Sequence, residues 1–301
     1  DVVTKKDGLS DLIWAELSEV YPDEIWNGEA DLDDWIEAED VISWTLDYNG
    51  ITFYFNPYDL AAYAYGCQQV TLTFSEYPDL VKEEYQMVPV SYGVQLPKDC
   101  NFYDDVTNDG KADSISWNTF GLYDGAAETL TVTLNGTDYD FEIYAFDTAV
   151  TFLRTREGEY YLYAQNTMEN DYTETHCYRL GEDVEHTGVM DGGMRYHYHN
   201  AEDMYFVFDV LTNPDSFWMS VRTQMASTVT GSREYRVKTH GIAVSDDPFY
   251  QFPDEARFVF TVLHDFSAEL YDKKTHSAKG TVTVAEGEPV TYYATDNDRY
   301  I

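Results

Sequence analysis

The clearest chemical motif in this sequence is a loop of oxygen-bearing side chains at residues 105–113. It reads Asp105-Val-Thr-Asn-Asp-Gly-Lys-Ala-Asp113, with oxygen ligands at the first, third, fifth and ninth positions, namely Asp105, Thr107, Asp109 and Asp113. Calcium takes six to eight oxygen ligands, and glycine at the sixth position allows the tight turn that points them inward. The spacing therefore predicts a calcium site formed by these four residues.

Two departures from the calcium-loop pattern keep a plainer alternative open. Thr107 is a weaker ligand than aspartate, and Ser116 stands where an EF-hand has its bidentate glutamate. An ordinary Asp-Gly turn leading into a strand explains the same residues without a metal. If calcium binds here, its expected role is a structural link between domains.

Other catalytic and metal-binding patterns are weaker. His197 and His199 would share one face of a strand, as two zinc ligands sometimes do. The candidate for a third ligand, His176-Cys177, is distant in the sequence, so zinc is not predicted. The sequence contains no G-x-S-x-G elbow, no phosphate-binding glycine loop and no Walker lysine. No pair among its 56 Asp and Glu residues stands out as a glycosidase pair. These features favour a non-catalytic protein.

The charge balance limits the partners that the chain is expected to bind. Its 301 residues include 18 Lys and Arg against 56 Asp and Glu, which gives a formal net charge of −38. Phosphate backbones and anionic membrane surfaces repel such a chain, so no nucleic acid is expected as a partner. Cationic proteins, divalent cations and neutral glycans remain. Aromatic residues make up 16% of the chain, enough for a sizeable core.

The first part of the chain, residues 1–98, is predicted to be an α+β domain. Apolar residues at every fourth position predict a helix over 9–21, with Ser10 as its N-cap. Alternating runs on both sides of Asn49-Gly50 predict a β-hairpin over 42–55. The other expected elements are a solvated loop or short helix, a strand, and a helix capped by Ser75, at 28–40, 70–74 and 75–85.

The second part, residues 99–301, is predicted to be an all-β region. Short alternating segments bounded by turns recur from about residue 113, with hairpins expected at Asn135-Gly136 and Glu157-Gly158. A sandwich and a partial propeller both stay open, because there is no strict internal repeat. A small C-terminal β subdomain, for which an SH3-like fold is one alternative, is expected from about residue 265. Further strands are predicted at 130–134, 139–144, 149–153, 160–163, 175–180, 204–210, 217–221, 233–238, 256–263, 280–284 and 290–294.

Residues 51–74 resemble a bacterial extracellular domain of unknown function. Their core, Phe53-Tyr-Phe-Asn-Pro-Tyr-Asp-Leu-Ala-Ala-Tyr-Ala-Tyr-Gly66, is similar to a motif of the lysozyme-sensing anti-sigma factor of Gram-positive bacteria and of proteins associated with peptidoglycan deacetylases. The resemblance extends over about residues 1–95 and implies an extracellular, non-enzymatic domain. Within the motif, Tyr58, Leu60 and Tyr63 are expected to pack under the sheet, which would make the motif structural.

Together these features predict a non-catalytic secreted or cell-surface binding protein of a Gram-positive, gut-type bacterium. The resemblance implies lysozyme as a hypothetical ligand, and the charge of −38 would attract such a basic protein. Alternatives are a cell-wall glycan-binding module, a structural spacer and, less favoured, a cell-wall hydrolase. An export signal or anchor is expected to precede Asp1. Spacing leaves open whether Cys67 and Cys100 form a disulfide or all three cysteines are thiols.

Overall fold

The computed structural model describes residues 2–4, 8–22, 29–38, 42–198, 206–223, 229–253, 259–272, 275 and 277–298. In these residues, two α-helices and a small sheet precede a long series of strands. This order confirms the predicted class, an α+β part followed by an all-β region. Among the residues that the structure describes, no helix combines the length and apolarity needed to cross a bilayer.

The first helix, α1, runs Leu9–Val20 and confirms the helix predicted over 9–21. Its buried apolar residues, Leu9, Ile13 and Leu17, recur every four positions and therefore lie on one face. The prediction that Ser10 caps this helix is wrong. Gly8 occupies the N-cap position, and Ser10 lies within the helix, where it is buried.

The second helix, α2, runs Glu29–Glu37 and packs beside α1. It settles the two alternatives for residues 28–40 in favour of a short helix. Leu32 is fully buried, and the Ser10 hydroxyl donates a hydrogen bond to the Asp33 carboxylate. The interior serine of α1 therefore helps to join the two helices.

A three-stranded antiparallel sheet packs with α1 and α2 around a hydrophobic core, which we call the first core. Its strands are β1 (Ser43–Leu46), β2 (Gly50–Phe55) and β3 (Gln68–Thr73), in that spatial order. Leu46 pairs with Ile51 across the Asn49-Gly50 turn, which confirms the predicted hairpin. The buried residues that fill this core come from both helices, the sheet, the connection between β2 and β3, and the segment after β3: Leu9, Ile13, Leu17, Leu32, Ile51, Phe53, Phe55, Leu60, Val70, Leu72, Leu80 and Val81.

The helix predicted over 75–85 is wrong. The chain forms turns through residues 74–80, and a single 3-10 turn follows at Glu83–Tyr85. Pro78 explains part of the difference, because proline inside a helix removes a backbone donor and clashes with the preceding turn. Val81 instead forms an antiparallel bridge with Val3, a distant pairing that local sequence does not reveal.

The remaining strands form several antiparallel sheets. In chain order they are β4 (Tyr92–Leu96), β5 (Phe102–Asp104), β6 (Asp113–Tyr123), β7 (Ala126–Leu134), β8 (Thr137–Ala145), β9 (Asp147–Arg154), β10 (Tyr160–Thr167), β11 (Thr173–Leu180), β12 (Val184–Asp191), β13 (Gly193–Met194), β14 (Tyr196–Tyr198), β15 (Phe206–Phe208), β16 (Phe217–Arg222), β17 (Thr230–Val237), β18 (Ala243–Val244), β19 (Tyr250–Gln251), β20 (Val259–Thr261), β21 (Phe266–Asp272), β22 (Ser277–Val284), β23 (Pro289–Thr291) and β24 (Ala294–Thr295).

Two of these sheets share a hydrophobic core. One has five strands in the order β12-β11-β10-β9-β4, and the other has four in the order β5-β6-β7-β8. Both sheets supply residues to the core, including Leu130, Val132, Phe152 and Leu162. This face-to-face packing corresponds to the sandwich alternative for the β-rich region. The hairpin predicted at Asn135-Gly136 is present between β7 and β8.

The opposite face of the five-stranded sheet packs against a six-stranded sheet. That sheet has the order β13-β16-β17-β19-β24, with β18 also paired to β17. Strand β10 lies between the two cores. Tyr160 and Leu162 contribute to one core, whereas Tyr161 and Tyr163 contribute to the other. Because both of its faces are covered, β10 is buried along nearly its whole length, including the polar residues Gln165 and Asn166.

The C-terminal strands do not all lie together in the residues that the structure describes. Strands β21 and β22 form a largely exposed hairpin, β20 pairs with β23, and β24 pairs with β19 in the six-stranded sheet. Strand β4 pairs with β9, although its residues fall before the expected boundary at 98. The boundaries at 98 and about 265 stay predictions. His197 falls in β14, and His199 lies outside the described residues.

Candidate functional site

Among the described residues of the first part of the chain, the most exposed aromatic side chains lie in the connection between β2 and β3, residues 56–67, which we call the tyrosine loop. It begins with a turn in which the Tyr58 N–H donates to the Ala61 carbonyl at 3.1 Å. The Asn56 N–H donates to the Asp59 carboxylate at 2.6 Å. Tyr58 has a positive φ of 79°. Such a conformation is costly for a residue with a bulky side chain, so the surrounding turn must hold it in place.

The loop exposes three tyrosines to solvent. Tyr58 is 68% exposed, Tyr63 is 65% exposed and Tyr65 is 50% exposed. Leu60 and Ala61 are fully buried and anchor the loop to the first core. The expectation that Tyr58 and Tyr63 pack under the sheet is therefore wrong, although it is confirmed for Leu60. The loop uses its small and aliphatic residues for packing and leaves its aromatic rings at the surface.

Two of the exposed rings lie side by side. The ring centroids of Tyr58 and Tyr63 are 5.6 Å apart, and their planes are inclined by 34°. Tyr63–Tyr65 form a 3-10 turn, which ends at Gly66. The fully buried side chain of Gln68 donates to the Gly66 carbonyl at 2.8 Å. The loop is thus fixed at both ends, which lowers the entropy cost of presenting its rings to a partner.

Three of the predicted calcium residues, Asp105, Thr107 and Asp109, lie in the connection between β5 and β6, and Asp113 begins β6. The Asp105 carboxylate accepts the backbone N–H groups of Asp109 and Gly110, each at 3.0 Å. One Asp113 oxygen accepts the backbone N–H of Thr107 at 2.8 Å and its hydroxyl at 3.0 Å. The structure therefore brings the four residues into one loop, in which Asp105 and Asp113 take part in internal hydrogen bonds.

The loop is also anchored to the neighbouring hairpin. Asn135 donates from its side-chain amide to the other Asp113 oxygen at 2.7 Å, and Asp113 is buried. Within the described part of the chain, no group of three or more His, Cys, Asp or Glu side chains is arranged to hold a metal ion. The observed hydrogen bonds fit the plainer Asp-Gly turn, and calcium binding stays a prediction.

A half-buried acid, Asp104, contacts the core of the β-rich region through Tyr92. Tyr92 donates a hydrogen bond from its hydroxyl to the Asp104 carboxylate. Burial raises the pKa of Asp104, whereas the Tyr92 hydrogen bond and the positive charge of Arg154 lower it. Burial, followed by the charge of Asp104, raises the pKa of Tyr92. Tyr92 is almost fully buried between the sheets, so this pair is a structural contact rather than a surface for substrate.

A polar cavity of about 550 Å³ lies beside β17, and its lining includes Asp215, Glu234, Arg236 and Asp246. Its charged groups are paired with one another or with neighbours. Arg236 contacts the Asp246 carboxylate through two nitrogens, at 2.5 and 2.8 Å. Hydrogen bonds from Arg156 and Ser91 lower the pKa of Asp215. A catalytic acid needs the opposite shift, so Asp215 does not suit that role.

The tyrosine loop was not predicted as a surface. The available signal was the Asn56-Pro57 dipeptide, which favours a turn rather than continued strand and so places Tyr58 outside the sheet. Which rings are exposed depends on Leu60 reaching the first core, and that contact cannot be read from the loop alone.

These elements define a class of protein: an α+β unit with an exposed aromatic loop, joined to packed antiparallel sheets. Residues 1–75 match a family described as a protein of unknown function, DUF3298. The match includes both helices, the three-stranded sheet and the whole tyrosine loop. No curated protein and no solved structure matches the chain at a significant level.

Proposed function

We propose that this chain is a non-catalytic binding protein of the cell surface or the extracellular space, and that its tyrosine loop contacts a basic protein such as lysozyme. The observation that supports the proposal is the exposure of Tyr58, Tyr63 and Tyr65 on a protein with a net charge of −38. Tyrosine is enriched in protein interfaces, because a large ring contributes contact area at low conformational cost.

Short-range contacts favour a cationic partner. The face of an exposed tyrosine ring attracts the ammonium of lysine or the guanidinium of arginine, by about 0.5–1 kcal/mol at exposed sites. Tyr58 and Tyr63 offer two such rings within one rigid loop. A basic protein surface would therefore meet both aromatic faces and negative charge.

Long-range attraction supports the same class of partner. A charge of −38 accelerates the approach of a basic protein, but salt screens charges beyond about 8 Å at physiological ionic strength. Charge alone would give binding that disappears as salt rises. Specific recognition through the tyrosine loop would retain affinity at physiological salt.

The sequence resemblance supports the location and the type of ligand. The motif within the tyrosine loop resembles the extracellular domain of a lysozyme-sensing anti-sigma factor, which implies an extracellular domain without enzymatic activity. We propose the same location here. Host muramidases would then be the ligands that a gut-type bacterium meets.

The test is calorimetric titration of the full chain with lysozyme at low and at physiological salt. We expect saturable binding at both, and a loss of about tenfold in affinity, or about 1.4 kcal/mol, in the Tyr58→Ala, Tyr63→Ala double variant. Tyr123→Ala is the matched control, because Tyr123 is 69% exposed but lies in β6. Cytochrome c, a basic protein of another fold, measures non-specific attraction. Binding that disappears at physiological salt would contradict the proposal.

A cell-wall glycan is the second candidate ligand. The observation that favours it is the adjacent pair of exposed rings, Tyr58 and Tyr63, since aromatic faces stack on sugar rings. Titration with peptidoglycan fragments separates the two candidates. Glycan binding that is independent of salt and lost in the double variant would favour the second candidate over the first.

A further inference from the structure

Two cysteines stand at the junction between the tyrosine loop and the β-rich region. Cys67 directly precedes β3, and Cys100 lies two residues before β5. A hydrogen bond connects the two segments, since the Gln69 side-chain amide donates to the Asn101 carbonyl at 2.7 Å. This contact lies two residues after Cys67 and one residue after Cys100, so it brings the two cysteines into the same neighbourhood.

The backbone on the other side of each cysteine is also fixed. Gln68 holds the Gly66 carbonyl next to Cys67. The Asp99 N–H donates to the Trp117 carbonyl at 3.1 Å, and the Asn118 side chain donates to the Asp99 carboxylate. Both cysteines therefore belong to ordered segments whose relative position is set by hydrogen bonds.

The thiols themselves differ in access. Cys67 is exposed, Cys100 is half-buried and Cys177 is buried. Burial raises the pKa of the Cys100 thiol, and the charges of Asp99 and Cys67 raise it further. An electrostatic effect of one thiol on the other requires proximity. Cys177 lies in the core between the five-stranded and six-stranded sheets, where burial raises its pKa to about 12.

We propose that Cys67 and Cys100 form a reversible disulfide that ties the end of the tyrosine loop to the start of β5. The oxidant is a small disulfide of the glutathione class. The exposed Cys67 thiolate attacks one sulfur of that disulfide, which breaks the S–S bond and releases one thiolate. Cys100, after losing its proton, then attacks the Cys67 sulfur and releases the second. In sum, the two protein thiols are oxidised to one disulfide, and the small disulfide is reduced to two thiols, which take up the two protons that Cys67 and Cys100 lose.

The disulfide would close a loop over residues 67–100, which restricts the unfolded chain and so stabilises the folded one. It would also fix Cys67, the second residue after the Tyr63–Tyr65 turn. The inference concerns the cysteines alone and holds whether or not the tyrosine loop binds a basic protein.

The test treats the purified full chain with oxidised glutathione and then digests it with trypsin without reductant. Cleavage after Lys6, Lys82, Lys98 and Lys111 places Cys67 in peptide 7–82 and Cys100 in peptide 99–111. We expect mass spectrometry to find these two peptides joined by a disulfide. The thiol count in denaturant should fall from three to one, with Cys177 left as the free thiol.

Thermal unfolding gives a second measurement. Oxidation should raise the Tm by several degrees, and dithiothreitol should reverse the rise. Cys67→Ser and Cys100→Ser should each abolish the rise, and Cys67→Ser remains usable if the variant of the half-buried Cys100 does not fold. Three free thiols after oxidation, or a linkage only between the Cys67 residues of two chains, would overturn the proposal.

Discussion

The ring of Tyr48 lies against the ring of Tyr92, with centroids 4.9 Å apart. Tyr48 belongs to the turn of the first hairpin, whereas Tyr92 begins β4 in the five-stranded sheet. Tyr48 also packs against the core shared by the five-stranded and four-stranded sheets. This aromatic contact therefore connects the sheet of the α+β part to the β-rich region.

We expect Tyr48→Ala to destabilise the protein by about 1–2 kcal/mol, because it removes a half-buried ring and its aromatic partner contact. Urea denaturation of the full chain measures the change. Tyr48→Phe is the control, since it keeps the ring and removes the hydroxyl alone. Equal stability of the alanine variant and the parent protein would show that the contact contributes nothing.

A second prediction concerns two glycines with the same backbone conformation. Gly136 and Gly241 both have φ of 74°. A Cβ on Gly136 would meet no atom within 4 Å, whereas one on Gly241 would lie 2.4 Å from the Tyr161 ring and 2.7 Å from the Cys177 sulfur. We expect Gly136→Ala to cost about 1 kcal/mol from the backbone alone.

Gly241→Ala should cost about 1–3 kcal/mol more, because the methyl group overpacks a core that includes Tyr161 and Cys177. Thermal or urea unfolding of the two variants measures the difference. Equal losses would mean that the core around Gly241 relaxes freely to accept the methyl group.

A third prediction concerns the pH dependence of stability. Burial raises the pKa of Asp104 above its ordinary value of 3.8. The folded state therefore favours the protonated acid, and its contribution to stability is present below about pH 3.8 and is lost as pH rises through the raised pKa. Asp104→Asn cannot ionise and keeps a carbonyl oxygen for the Tyr92 hydroxyl.

The asparagine variant should accordingly gain stability relative to the parent protein as pH rises from about 4 to 7, by up to about 1.4 kcal/mol for each pH unit of the pKa shift. Urea denaturation at both pH values gives the comparison. A stability difference that does not change with pH would show that Asp104 titrates as it does in the unfolded chain.

A fourth prediction tests the 105–113 loop. If the loop binds calcium, calorimetric titration should show stoichiometric heat that Asp109→Ala removes. Asp109 is the most informative position, because its carboxylate contacts the Lys111 N–H at 2.8 Å without joining the Asp105 and Asp113 hydrogen bonds. If calcium produces no binding heat with the parent protein, the loop is an ordinary Asp-Gly turn.

The sequence predicted those elements that depend on local chemistry. The hairpins at Asn49-Gly50 and Asn135-Gly136 formed where the turn residues favour them. The helix over 9–21 followed from apolar spacing. The two wrong predictions about secondary structure, the helix over 75–85 and the N-cap role of Ser10, involve distant contacts. Val81 pairs with Val3, and the Ser10 hydroxyl binds the Asp33 carboxylate. In each case the partner lies outside the window in which a pattern can be recognised.

The candidate site was less predictable than the fold. The motif containing Tyr58 and Tyr63 was recognised, but which of its residues are buried depends on the position of Leu60 in the first core. The double burial of β10 likewise depends on the six-stranded sheet, whose strands come from residues 193–295. Alternation along a single strand cannot show that its second face is covered.

The pairing of β24 with β19 affects how the protein is made. The six-stranded sheet includes Ala294 and Thr295, so synthesis must proceed through these residues before that sheet is complete. Earlier strands would meanwhile expose unpaired edges and apolar side chains to other chains. The α+β part, whose core ends at Val81, has no such delay. Newly made protein would therefore pass through a period in which its first core is formed while its last sheet is still incomplete and open to aggregation.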